Sequence, residues 1–198
     1  MSATNGIGTA GTSSQRRERF ECLYHELYPP IAGYVMRRAA NREDGAEVIA
    51  ETFATLWRRL DGCPSGDELR PWLFGVARLS LANQRRGDRR RSALSERLIV
   101  EPDGTETTSL GAGSDGRVAR AFAALGEPDR EILSLVAWEG LTHEELAVAL
   151  GVSRGLVRLR LHRARRRFIA ALDREAPSHA VAPTTRIRLS EGEDHERA

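Results

Sequence analysis

Arginine is concentrated in one short stretch of this chain, residues 151–167, which reads GVSRGLVRLRLHRARRR. The last ten residues of the stretch include six arginines. A guanidinium group is planar, always charged and presents its donors in a fixed fork, so it pairs well with phosphate oxygens and with the edge of guanine. Repeated at helical spacing, such groups could bind the backbone and the base edges of a nucleic acid.

The same stretch separates an apolar stripe from a charged outer face. Val157, Leu161, Ala164 and Phe168 recur at helical spacing and predict a surface that packs on a neighbouring helix. Arginines flank the opposite face on both sides, as expected of a helix that lies between two rows of phosphates in a major groove. The residues predicted to contact duplex DNA are Ser153, Arg154, Gly155, Arg158, Leu159, His162, Arg165 and Arg166.

The residues before this helix predict its partner in a helix-turn-helix. Thr142 and Glu145 have the spacing of a capping box, which predicts a helix start at THEELAVAL. Gly151 allows a sharp turn, and Ser153 is a good N-cap for the arginine-rich helix. The alternative is an ordinary pair of helices whose basic face is simply solvated. The tight turn, the apolar stripe and the arginines on both sides of the outer face together favour DNA binding.

A second basic cluster spans residues 70–91, with seven arginines and a single acid, Asp88. Trp72 and Phe74 stand near its start. A basic helix with aromatic residues can follow a nucleic-acid backbone and stack unpaired bases. The alternative for Trp72 is a place in the core, which is the commoner fate of a tryptophan. Seven arginines without matching acids repel one another unless an anion binds them.

The periodicity of the chain predicts an all-α fold with two small helical domains. We expect a disordered N-terminal extension at 1–15, a bundle of roughly four helices at 16–98 that Pro29-Pro30 interrupts, and four shorter helices at 117–175. Residues 99–116 are expected to be a flexible acidic linker, and residues 176–198 a flexible tail. Asp44 and Glu47 are predicted to cap one helix, and Trp72, Val76 and Leu79 to be buried in another.

Composition and motifs argue against several other functional classes. The chain has 198 residues, 40% of them hydrophobic, a net charge of +2 and no lysine. It lacks a signal-peptide pattern and an apolar run of the roughly 20 residues that a membrane span needs, so we expect a cytoplasmic protein without membrane insertion. Its two cysteines and five histidines lack metal-ligand spacing. With no nucleotide-binding or nucleophile motif either, the sequence predicts no enzyme, metal or cofactor.

Three stretches together resemble the extracytoplasmic-function sigma factors of bacterial RNA polymerase, within the sigma-70 family. They are DGAEVIAETFATLWRRL, RPWLFGVARLSLANQRRGDRRR and LGEPDREILSLVAWEGLTHEELAVALGVSRGLVRLRLHRARRRF. The resemblance implies a region-2 domain, a region-4 helix-turn-helix and a linker that follows the RNA-exit path. It implies a subunit that directs core polymerase to promoters by recognising the −35 element and melting the −10 element.

The resemblance also implies roles for individual residues. The helix-turn-helix residues given above would read the −35 element, and Glu47 and Glu51 would contact the clamp coiled coil of polymerase. The first two helices of region 4 would meet the flap. The residues implied for the −10 element are Cys63, Trp72, Arg78, Asn83, Arg85 and Arg86.

Two other functions remain open on the sequence. One is a free-standing transcriptional regulator with a helical effector domain, and the other is an interaction module such as an anti-sigma decoy. The second basic and aromatic helix and the acidic linker favour the sigma factor, since an effector domain needs neither. An anti-sigma factor is a possible partner that the family implies.

Overall fold

The computed structural model of the protein describes residues 7–95 and 114–175. The first of these ranges forms a unit of three helices, α1 (Ile7–Met36), α2 (Arg42–Arg58) and α3 (Leu69–Ser95), with a short 3-10 helix at Gly66–Glu68 leading into α3. The second range forms a unit of four helices, α4 (Ser114–Ala123), α5 (Glu127–Ala137), α6 (His143–Leu150) and α7 (Arg154–Arg174). Neither range contains a strand, and the predicted all-α fold with two helical domains is confirmed.

Helix α1 is longer than the sequence predicts. It runs without interruption through Pro29 and Pro30, where we expected a break, so the first unit has three α-helices rather than four. Leu27 and Ile31, on either side of the prolines, are buried in the core, and this packing offsets the hydrogen bond that proline removes. Residues 7–15, expected within a disordered extension, belong to the same helix.

Two local expectations for the first unit are wrong. Helix α2 is capped by Asn41, whose side chain accepts a hydrogen bond from the Asp44 amide, and not by a box at Asp44 and Glu47. On α3 the buried face is shifted, because Leu79 is 52% exposed while Leu73 and Phe74 are fully buried. Trp72 and Val76 are only half-buried. In the first half of α3, residues 69–82, apolar side chains lie on several sides of the helix, so periodicity alone does not choose its inner face.

The two units share one hydrophobic core. Helices α1, α2 and α3 pack on one another, α4, α5 and α6 pack on α7, and α3 packs on α6 across the junction. Buried Leu73 and Phe74 of the first unit belong to the same cluster as Leu146 and Leu161 of the second. The predicted linker lies almost entirely, and the tail entirely, outside the described residues.

Candidate nucleic-acid interface

The turn between α6 and α7 holds the two helices of a helix-turn-helix. The hydroxyl of Thr142 accepts from the Glu145 amide, and the Glu145 carboxylate accepts from the Thr142 amide, which confirms the predicted capping box. Helix α6 ends at Gly151, whose φ of 64° is left-handed and favours glycine. Ser153 then caps α7 by accepting from the Leu156 amide, as predicted.

The capping box supports a direct test of how α6 is stabilised. Thr142→Ala is expected to lower the free energy of unfolding by about 1 kcal/mol, because the Glu145 amide loses its partner. Urea unfolding followed by far-UV circular dichroism measures the change. Thr55→Ala, within α2, is the control and should cost little, since alanine is the better residue inside a helix. Equal losses in the two variants would contradict the role of the cap.

Helix α7 packs on the neighbouring helices through its apolar stripe, and its opposite face is exposed to solvent. Val157, Leu161 and Ala164 are buried against the neighbouring helices, and Phe168 is half-buried. The predicted DNA contacts are all exposed: Ser153, Arg154, Gly155, Arg158, Leu159, His162, Arg165 and Arg166. A Cβ added to Gly155 would meet nothing within 4 Å, so the protein itself leaves space in front of the start of α7.

The arginines on this face are largely free of acidic partners. Arg154 pairs with Glu144 at 3.3 Å. Arg158, Arg165 and Arg166 form no ion pair with any other residue in the described ranges. Uncompensated guanidinium groups on an exposed helix face form a surface that attracts phosphate.

Three of the predicted −10 contacts meet in a cleft at the junction of the two units. This inter-unit cleft, of about 570 Å³, lies between α2, α3 and the turn from α6 to α7. Trp72, Arg78 and Asn83 line it, together with Glu47 and Glu51, for which the family resemblance implies polymerase contact. The structure thus brings together five residues that the resemblance placed in two different sites.

The other predicted −10 contacts lie outside this cleft. Arg85 lines a second, smaller cleft and pairs with Glu127 of the second unit. Arg86 is exposed and donates to the Asn83 side chain at the rim. Cys63 lies beyond the end of α2, where its thiol donates to the Leu60 carbonyl at 3.3 Å. Cys63 is therefore not among the residues that line the inter-unit cleft.

Glu47 and Glu51 are exposed on α2. Glu51 accepts a hydrogen bond from Arg58 at 2.6 Å, while both side chains remain more than half exposed. A surface pair of this kind contributes little to stability, so it leaves Glu51 available to a partner.

Comparison with known proteins identifies the family. The family described as Sigma-70 region 2 matches residues 23–91, and the one described as Sigma-70, region 4 matches residues 115–168. The RNA polymerase sigma factor NccH of Alcaligenes xylosoxydans xylosoxydans is 32% identical over 138 residues, which is 65% of this chain and 73% of that protein. The ECF RNA polymerase sigma factor SigL of Mycobacterium tuberculosis is 27% identical over 158 residues, 77% of this chain and 88% of SigL. The chain belongs to the extracytoplasmic-function sigma factors.

Solved structures show the same fold. The sigma factor RpoE of Bartonella quintana, in complex with the anti-sigma factor NepR, superposes on this sigma factor with a TM-score of 0.60 at 21% identity, over 79% of this chain and 98% of that one. CnrH, in complex with the cytosolic domain of CnrY, superposes with a TM-score of 0.58 at 26% identity, over 83% of this chain and 94% of CnrH. The matches to Sigma-70 regions 2 and 4, together with the sigma-factor relatives, confirm the predicted function: this is a non-catalytic factor that directs RNA polymerase to promoters for transcription initiation.

Sequence reasoning missed the polar contacts between the two units of the sigma factor. Arg37, Arg38 and Arg70 of the first unit contact Glu131, Glu139 and Glu145 of the second. The Tyr34 hydroxyl donates to Glu131 at 2.6 Å, and burial, with the nearby Glu131 charge, raises the pKa of this phenol well above its usual range. Partners separated by about a hundred residues leave no periodic signal in a sequence.

Within the described ranges, the helices are too short or too polar to cross a membrane. The same residues contain no group of three or more His, Cys, Asp or Glu side chains that could hold a metal ion.

Proposed function

We propose that this sigma factor reads the −35 element with α7 and holds the melted −10 strand with α3. The observation that carries the proposal is the exposed outer face of α7, where Arg158, Arg165 and Arg166 have no ion-pair partner among the described residues. Gly155 and Leu159 lie on the same exposed face, so base edges could be approached closely between two rows of phosphate contacts. The complete −35 set is Ser153, Arg154, Gly155, Arg158, Leu159, His162, Arg165 and Arg166.

The inter-unit cleft supports the −10 role of α3. Trp72 is half-buried on its wall and can stack on an unpaired base, and Asn83 is exposed at its rim. The Arg78 Nε group is buried and has no hydrogen-bond partner within the described residues. Since an unpaired buried donor is costly, a phosphate or base oxygen in the cleft would satisfy it. Arg85 and Arg86 extend the basic surface along α3, and Cys63 remains a proposed contact from the preceding loop.

The remaining proposed contacts are with proteins. Exposed Glu47 and Glu51 of α2 are proposed to meet the clamp coiled coil of polymerase, and helices α4 and α5 the flap. The proteins named RpoE and CnrH were solved with an anti-sigma factor and with the cytosolic domain of CnrY, respectively, and we propose that an inhibitor of this kind binds here too. The proposed compartment is the cytoplasm, and the proposed domains are 16–98 and 117–175, joined by 99–116.

Transcription in vitro tests the proposal directly. Core polymerase lacking any sigma factor is combined with the chain and with fragmented genomic DNA of the source organism, and transcript starts are sequenced. We expect starts that are absent with core polymerase alone and that share sequences at −10 and −35. The double variant Arg158→Ala/Arg165→Ala should abolish these starts, while Arg174→Ala, at the far end of the same helix, should keep them. Starts that persist in the double variant would contradict the assigned −35 surface.

A further inference from the structure

The smaller cleft of the sigma factor carries positive charge that the proposed DNA contacts do not fully explain. It has a volume of about 300 Å³ and lies between α3, α5 and α7. Four arginines line it, and we call it the arginine cleft: Arg38, Arg78, Arg85 and Arg160. Arg38 and Arg160 belong to neither of the proposed DNA-binding sets, so promoter recognition does not account for their meeting here.

The two carboxylates of the arginine cleft are already matched. Arg85 pairs with Glu127. Glu131 accepts a hydrogen bond from Arg38 at 3.2 Å and another from the Tyr34 hydroxyl at 2.6 Å. The other two arginines of the cleft, Arg78 and Arg160, form no ion pair within residues 7–95 and 114–175. Two guanidinium charges therefore face the cleft without a counter-charge from the described part of the chain.

Two guanidinium nitrogens of the arginine cleft also lack a hydrogen-bond acceptor. Nη2 of Arg38 and Nε of Arg78 are buried and have no partner among the described residues. The Arg38 side chain is only 11% exposed, and its guanidinium lies over the Tyr34 ring at 3.9 Å from the ring centroid. An unpaired buried donor is costly, more so on a charged group. An anion in the cleft would satisfy both nitrogens after a small rotation of the two side chains.

The apolar part of the lining selects among anions. Besides the charged residues and Tyr34, five apolar residues line the cleft: Leu81, Ala82, Pro128, Ile132 and Leu150. An inorganic anion would leave this surface uncovered, whereas a nucleotide can lay its base or sugar on it. The volume is at the lower end of the roughly 300–1,000 Å³ of small-molecule sites, which suits one mononucleotide. Arginine forks bind phosphate oxygens in pairs, so they suit the other end of the same ligand.

We propose that the arginine cleft binds a nucleoside diphosphate or triphosphate. Its phosphates lie between Arg78 and Arg160, where Arg38 supplies a further donor, and its base packs on Leu81 and Ile132. The ligand contacts α3 of the first unit and α5 and α7 of the second, so it binds the folded chain and stabilises it as the ligand concentration rises above Kd. Binding at this cleft requires neither promoter DNA nor polymerase and is separate from the proposed promoter function.

Isothermal titration calorimetry of the full chain with ADP, ATP, GDP and GTP tests the site. At least one of these nucleotides is expected to bind with a stoichiometry of one, and the same nucleotide should raise the thermal unfolding midpoint. Inorganic tripolyphosphate should bind about ten-fold more weakly or less, because it leaves the apolar wall uncovered. Adenosine and guanosine, which lack phosphate, should show no binding. Failure of all four nucleotides to bind, or equal affinity for tripolyphosphate, would overturn the proposal.

Arg160→Ala identifies the site, because this side chain is exposed and its loss breaks no ion pair within the described ranges. Nucleotide affinity should fall about ten-fold, the scale of a hydrogen bond to a charged group. Arg163→Ala is the matched control, since Arg163 is an exposed arginine of the same helix that does not line the cleft. Equal losses in the two variants would show that the nucleotide is held by the general charge of α7 and would overturn the proposal.

A single-stranded DNA of random sequence separates this site from the proposed −10 surface. Arg78 lines both clefts, so Arg78→Ala should weaken the binding of nucleotide and of strand. Arg160→Ala should weaken nucleotide binding alone, because Arg160 is not a proposed −10 contact. A parallel loss of strand affinity in Arg160→Ala would show that the arginine cleft belongs to the path of the strand, and the nucleotide site would be wrong. If Arg78→Ala weakens nucleotide binding only, the −10 role of Arg78 fails and the nucleotide site stands.

Discussion

Replacing Arg158 with alanine should weaken binding of the reconstituted holoenzyme to its −35 duplex by about 5- to 150-fold, which corresponds to about 1–3 kcal/mol for a lost base contact. Arg158 is exposed beside the outer face of α7 and forms no ion pair with the described residues, so its donors are free for DNA. Fluorescence anisotropy with labelled promoter duplexes measures the loss. A loss that differs among −35 sequences would assign Arg158 to a base, and an equal loss on all of them would assign it to phosphate.

The control for this prediction lies on the same helix. Arg174→Ala removes the same charge at a position about 24 Å along the axis of α7, beyond the proposed contact surface. Its effect on affinity should be small. The affinity of the unaltered protein should fall steeply as the salt concentration rises. If Arg158 contacts a phosphate, its loss should reduce the slope of log binding constant against log salt concentration by about one. Unchanged affinity in Arg158→Ala would contradict the proposed orientation of α7 on DNA.

The largest effect on stability is expected from Leu161→Ala. Leu161 is 2% exposed and lies in the apolar stripe that seats α7. Truncating a buried leucine removes its transfer free energy and leaves a cavity, so the free energy of unfolding should fall by about 2–5 kcal/mol. Urea unfolding followed by circular dichroism checks the value, and a shift of the midpoint at unchanged slope would indicate a change in stability alone.

Leu159→Ala is the matched control, since it removes the same atoms from the same helix. Leu159 is 43% exposed, so its truncation should leave stability nearly unchanged. If Leu159 contacts a thymine methyl, this variant should weaken duplex binding without destabilising the protein. Similar destabilisation by the two substitutions would show that the stripe of α7 is assigned to the wrong face.

The helix-turn-helix could be predicted because its signals are local. Thr142 and Glu145 are three residues apart, and Gly151 readily adopts the left-handed conformation that ends α6. The apolar residues of α7 recur at regular helical spacing. Each of these patterns limits the conformation of the residues that carry it. The order of helices, the start of α7 and its exposed basic face therefore follow from the sequence.

The first unit was harder to predict because its signals conflict. Pro29 and Pro30 disfavour a continuous helix, yet the buried residues on both sides of them keep α1 intact. Helix α3 has apolar residues in several directions because it contacts both the other helices of its unit and α6. Its inner face depends on those neighbours, and for this reason Leu79 was assigned to the wrong side.

The all-α class, the helix-turn-helix and the two arginine-rich helices can be inferred from the sequence, because periodicity, caps and charge act over a few residues. The folded structure is needed to see that α3 packs against α6 at Gly75, that Glu127 pairs with Arg85, and that Glu47 and Glu51 share a cleft with Trp72. These contacts join residues that are far apart in the chain. Their energies depend on burial and distance in the folded protein, which local patterns do not encode.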